Sequence, residues 1–191
     1  MDRYVLPKLR VTALDLLLVV ASSVLWAGCW FLNKTLLSDT LVTTGINLVY
    51  LPAGVRLLLA LLFGPWGALG IFLVDPLLFF YEYGSASIAE VIGTSFISAF
   101  APYLAVLGFC RAAGISPRLS GLKPLHLPVL ALLVSLLTPL MFNLHFLLYD
   151  RHAGDDFARN FAAMATGDFL GCFAVLGLAR LMLAASRAVQ H

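Results

Sequence analysis

Six polar side chains sit where the surrounding sequence is almost wholly apolar: Arg56, Asp75, Glu90, Asn143, His145 and Asp168. Arg56 falls inside INLVYLPAGVRLLLALLFG, Ile46 to Gly64. A cation that meets lipid alone in mid-bilayer costs from about 2.5 to more than 10 kcal/mol. It therefore needs an opposite charge or a polar ligand beside it. Two kinds of chemistry follow: a buried ion pair that fixes helix register, or a site for a polar ligand or ion. Glu90 and Asp168 are carboxylates with no basic neighbour in sequence, which points to a functional or protonated site. His145 with Asn143 and Asp150 allows a proton relay, while a hydrogen-bonded histidine at the membrane surface fits the same residues.

Enzyme chemistry finds no footing in these residues. His126, His145 and His152 lack metal-ligand spacing, no serine or cysteine stands in a nucleophile motif, and there is no glycine-rich phosphate loop or CxxC. Cys29, Cys110 and Cys172 are far apart in or beside apolar runs, as packing residues are. The chain is expected to be no enzyme and to need no metal or cofactor.

The elements that must position these groups are membrane helices. Of 191 residues 61% are hydrophobic and 12% charged, with a mean hydropathy of +0.96, whereas about a quarter of a soluble domain is charged. The net charge of +2 gives no case for nucleic acid. A bilayer core takes roughly 20 apolar residues per helix. The expected architecture is an all-α polytopic bundle of six spans: Val11–Leu32, Leu41–Phe63, Ala68–Phe80, Ser85–Phe109, Leu127–Tyr149 and Phe161–Ala184. Asp15 opens the first span at its inner edge, and Trp26 and Trp30 close it as interfacial anchors. Length and flanks argue against a cleavable signal peptide.

The basic residues set the orientation. Arg3, Lys8, Arg10, Arg111, Arg118, Lys123, Arg180 and Arg187 fall on one face; Lys34, Arg151 and Arg159 fall on the other with Asp39, Glu82, Asp150, Asp155 and Asp156. Both termini are then cytoplasmic, and the Asp150–Arg159 loop lies outside a multi-pass protein of the inner (plasma) membrane. Residues 1–10 form a cytoplasmic segment, 11–186 one transmembrane domain and 187–191 a short tail.

In this topology Arg56 lies about eight residues from the inner end of span two, and Asp75 about eight from the start of span three. At 1.5 Å per residue the two share a depth on adjoining helices joined by Gly64-Pro65-Trp66-Gly67, so they are expected to meet. Pro52, Pro76, Pro102 and Pro139 interrupt spans, two of them beside these charges, which marks either helix bends or a cavity wall. Ala163, Gly167 and Gly171 recur every four residues, a small-residue stripe that lets another backbone come close to Asp168.

The run LVYLPAGVRLLLALLFGPWGALGIFLVDPLLFF, Leu48 to Phe80, resembles the first class of membrane-associated sensor domains, the MASE family. The shared pattern is an aromatic-Pro-Ala/Pro-Gly start, an apolar helix ending in Gly, a Trp/Pro turn and a Gly-x-Phe-Leu-Gly-like helix. ATGDFLGCFAVLGLARLML, Ala165 to Leu183, is similar to the family's closing helix, with Asp168, Phe169, Leu170 and Gly171 as its core. The resemblance implies an integral membrane sensor module in which Pro52, Gly54, Asp168 and Gly171 are architectural motif residues. It departs from the pattern in its six spans where the family has about eight, in Arg56 and Asp75, and in having no effector domain after Arg187.

Three functions are thus open. The first is a stand-alone sensor-like membrane protein that binds a small ligand or a membrane or cytoplasmic signalling protein. The second is a solute-transport component, such as the substrate-binding subunit of an energy-coupling-factor transporter; the first span lacks an Ala-x-x-x-Ala pattern for docking, since Ala13, Ala21 and Ala27 are spaced by eight and six. The third is a structural or assembly subunit of a larger membrane complex.

Overall fold

Polar and turn-forming residues divide the apolar chain into helices. The structure, a computed structural model, describes residues 11–37, 41–43, 46–84, 86–116, 119, 121–150 and 156–188. Of the orienting charges, Arg3, Lys8, Arg10, Asp39, Arg118, Arg151 and Asp155 lie outside these residues, as does His152. Among the described residues there are six helices: α1 (Ala13–Leu36), α2 (Leu51–Leu62), α3 (Pro65–Tyr83), α4 (Ile88–Ala112), α5 (His126–Leu147) and α6 (Phe157–Ala188). A short antiparallel hairpin, β1 (Leu41–Thr43) and β2 (Ile46–Asn47), precedes α2 and pairs Leu41 with Asn47 and Thr43 with Ile46. The expected all-α fold therefore holds for the described residues apart from this hairpin and the turns between helices.

Helices α1, α4, α5 and α6 are each long and apolar enough to cross a bilayer, which marks a membrane protein. Their outer faces agree: Leu14, Leu17, Val20 and Val24 of α1 are all exposed, a stripe suited to lipid. Thr12 starts α1 as its N-cap, accepting from the Asp15 amide while the Asp15 carboxylate accepts from the Thr12 amide.

Span two requires the largest correction. Only Leu51–Leu62 is helical, 12 residues or about 18 Å against a hydrocarbon core of roughly 30 Å. Upstream, the β-branched and turn-forming LVTTGIN favours the hairpin, and Pro52 pre-sets the first turn of α2, where its missing N–H is no loss. The expected Gly64–Gly67 turn is tighter as well. Gly64 adopts φ +54°, and Pro65 already begins α3.

Helices α1, α3, α4, α5 and α6 form an arc, each packing on the next, and α2 fills its centre, touching all five. Accordingly α2 is buried nearly all round, from Pro52, Ala53 and Gly54 through Arg56 and Leu57 to Leu59, Ala60 and Leu61. Glycines permit the tight crossings. Gly70 of α3 lies against the Val19 carbonyl and Ser22 of α1, where Ser23 Oγ donates to the Gly70 carbonyl at 2.8 Å. Gly54 of α2 faces α6, where an added Cβ would meet Val175 Cβ at 2.6 Å and the Gly171 carbonyl at 2.7 Å. Gly171 leaves no room for a methyl against the Tyr50 carbonyl.

The start of α2 is held from outside itself. Tyr50 at its N-cap makes no side-chain cap; its amide donates to the Gly167 carbonyl of α6 at 3.0 Å, and the Leu51 amide donates to Asn33 Oδ1 of α1 at 2.9 Å. Asn33→Ala leaves the half-buried Leu51 N–H without its acceptor and should cost about 1 kcal/mol. The expected lowering of the thermal midpoint in detergent has Thr35→Ala, an exposed site on the same helix, as its control.

Candidate functional site

Depth along the helices fixes only half the geometry around Arg56. Helix α2 packs chiefly on α6 through the Gly54–Gly171 crossing, and Arg56, two residues beyond Gly54, therefore faces Asp168, three residues before Gly171. Arg56 Nη2 lies 3.4 Å from Asp168 Oδ2, with both side chains almost wholly buried, and no ion pair joins Arg56 to Asp75 among the described residues. The expected Arg56–Asp75 pair is thus replaced by Arg56–Asp168, and Asp168 does have a basic partner, from 112 residues away. Depth follows from rise per residue; rotation about the axis depends on which neighbour the small residues admit.

Asp75 turns instead toward α1 and α4. Its Oδ1 accepts from Trp26 Nε1 at 2.9 Å and from Ser98 Oγ at 3.3 Å. Trp26 is 1% exposed and is therefore no interfacial anchor but a buried donor to a carboxylate. Trp30, one turn on, is partly buried and edge-on to Phe31 and Tyr81.

Three rings enclose the Arg56 guanidinium: its carbon lies 5.4 Å from the centroid of Trp26, 5.3 Å from Tyr50 and 5.8 Å from Phe142. Each such contact stabilises a desolvated cation by about 0.5–2 kcal/mol, which, with Asp168, explains how α2 keeps a charge at the centre of the bundle. The hydrogen bonding is incomplete, however. The 3.4 Å contact is longer than the usual 2.7–3.2 Å for N–H to O, and Arg56 Nε is buried with no partner. Thr94 Oγ1 of α4 is in the same condition.

Both residues line a cavity of about 250 Å³. Its walls come from one end of the bundle: the last turns of α1, α3 and α5, the first turns of α4 and α6, and the start of α2. Arg56, Asp75, Asp168, Thr94 and Ser98 form its polar depth, and Phe79, Phe142 and Phe146 its apolar wall. At the rim Lys34 pairs with Glu82, side chains 44% and 27% exposed, and Lys34 also lies 5.0 Å from the ring centroids of both Trp30 and Tyr81.

Of the six residues expected at a site, Arg56, Asp75 and Asp168 line this cavity, whereas Glu90, Asn143 and His145 do not. Glu90 is buried in the first turn of α4, where its amide donates to Ser87 Oγ and its carbonyl accepts from His145 Nε2 at 3.1 Å. His145 packs so closely on Gly93 that it joins α4 to α5. Asn143 Nδ2 donates to the Pro139 carbonyl at 2.8 Å and contacts Met164 Sδ at 3.1 Å. These three close helix contacts beside the cavity. Lys34, Glu82, Tyr50 and Thr94 were not among the expected residues. The first two carried a usable signal, opposite charges at the ends of spans one and three on one face of the membrane; Tyr50 and Thr94 look like any interior residue.

In chemical terms the site offers donors and acceptors in an apolar enclosure open at one end. No group of three or more His, Cys, Asp or Glu residues among those described is arranged to hold a metal ion. Compared with known proteins, the chain matches no family model, no curated protein and no solved structure.

Proposed function

We propose that the chain is a stand-alone, sensor-like integral membrane protein that binds a small polar ligand within its bundle and passes on its occupancy through a membrane or cytoplasmic signalling partner. The observation that carries the ligand site is the cavity with a buried guanidinium whose Nε has no partner, since a native interior meets such groups with protein, water or ligand. The signalling half rests on the resemblance of Leu48–Phe80 and Ala165–Leu183 to membrane-associated sensor domains. In this reading α2, together with the segment that precedes it, makes the second transit of the inner membrane and α3 the third, giving six transits with both termini in the cytoplasm, and the cavity opens on the outer face. The role is binding without chemical conversion.

The test is native mass spectrometry of the full chain released gently from its own membranes. A small-molecule adduct lost in Thr94→Trp, which fills the cavity, is expected. A wild-type chain that retains lipid but never a small molecule would overturn the reading.

The interrupted start of α2 favours a second reading, a solute-transport component, because broken helices line the sites of many transporters. Uptake of the bound molecule into proteoliposomes distinguishes it from a sensor, which binds and does not translocate.

A further inference from the structure

Resting on that ligand-binding reading, we infer that the cavity takes a small zwitterion of the amino-acid type, its carboxylate against Arg56 and Thr94 and its ammonium toward the acidic wall of Asp75 and Glu82. Two residues that line the cavity each hold a buried hydrogen-bonding atom with no partner in the protein: Arg56 Nε, on a residue 2% exposed, and Thr94 Oγ1, on a residue 5% exposed. A guanidinium can only donate and a hydroxyl can do so, so together they suit a group with two acceptor oxygens. A carboxylate is the smallest that also carries the charge a guanidinium prefers.

A plain anion leaves the site unbalanced. Lys34 and Arg56 are the cations lining the cavity, paired with Glu82 and Asp168, so Asp75 is the lining carboxylate that has no ion pair among the described residues. A second uncompensated negative charge in this enclosure would be repelled; a ligand that brings its own ammonium is not. Phe79, Phe142 and Phe146 offer apolar and aromatic surface to a side chain. A volume of about 250 Å³ admits a molecule of amino-acid size and excludes a nucleotide or an oligosaccharide.

The experiment uses the purified full chain in detergent, titrated with each common amino acid and followed by thermal shift and calorimetry. For a binder such as leucine the matched probes are 4-methylpentanoate, which lacks the amine, and 3-methylbutylamine, which lacks the carboxylate; for phenylalanine they are 3-phenylpropanoate and 2-phenylethylamine. Saturable binding of a zwitterion, weakened on the order of tenfold or more by either deletion, is expected. Thr94→Val should weaken binding while leaving the unliganded midpoint near that of the wild type, because the hydroxyl has no partner within the protein. Equal binding of the acid makes this a simple carboxylate site and overturns the inference, as does equal binding of the amine or indifference to Thr94→Val. In each of those outcomes the ligand-binding reading stands. No binding of any probe, with a different molecule retained in native spectra, overturns the zwitterion alone; no binding and no retained molecule removes both.

Discussion

Asp168→Ala should destabilise the bundle by about 3–5 kcal/mol, the range for removing one partner of a buried ion pair. Asp168 and Arg56 are 3% and 2% exposed, and the cation left behind has no other carboxylate in ion-pair contact among the described residues. Three aromatic faces reduce the loss without removing it, because a ring quadrupole attracts a guanidinium but accepts no strong hydrogen bond. Arg56→Met should cost less, since a carboxylate can take up a proton and become neutral whereas a guanidinium cannot. The double replacement Arg56→Met/Asp168→Leu should regain much of the stability lost by Asp168→Ala, as apolar substitutes for buried pairs often do. Thermal unfolding in detergent measures all three. A coupling near zero in the Arg56–Asp168 cycle would show that the contact contributes nothing, and a larger coupling between Arg56 and Asp75 would assign the partner otherwise.

Gly171→Val should be at least as damaging. Even the Cβ of alanine would overlap the Tyr50 carbonyl, at the point where the Tyr50 amide bonds Gly167 and the opposing Gly54 has no room to retreat. A clash with backbone at both sides cannot be relieved by a rotamer change, so a loss of about 3 kcal/mol or more is expected. Gly177, farther along the same helix, has nothing within 4 Å of an added Cβ, and Gly177→Ala should be neutral or mildly stabilising. Yield of folded protein and its thermal midpoint, compared between the two substitutions, check this. Equal tolerance of both would show that α2 and α6 do not cross so closely.

How far the fold was legible depends on which property each inference used. Apolar length alone located α1, α4, α5 and α6 to within a few residues, because lipid-facing helices must be long and greasy throughout. It misjudged Leu41–Phe63, where a hairpin and a short helix together mimic one span in hydropathy. The small-residue stripe Ala163, Gly167, Gly171 did point to a close backbone, yet it did not say whose, and that partner decides which carboxylate Arg56 meets. Trp26 misled because an indole suits a membrane surface and a buried carboxylate equally; its bond to Asp75 joins residues 49 apart, on neighbouring helices whose rotation a single sequence does not reveal. Three of the six intramembrane polar groups do converge on one cavity, which supports the premise that such groups are rarely turned to lipid. Asn143 and His145 bond backbone carbonyls instead, and Glu90 meets His145 through its own main chain, uses that residue type does not distinguish.

The central helix also bears on how the chain is made. Helix α2 is too short to cross a bilayer by itself, and its arginine and its principal packing partner are separated by 112 residues. At a synthesis rate of roughly 5–20 residues per second, on the order of ten seconds pass between the emergence of Arg56 and that of Asp168. During that interval Arg56 lacks the carboxylate it pairs with in the folded bundle. The charge at the centre of the bundle therefore gains its carboxylate only when α6, the last of the described helices, has been made.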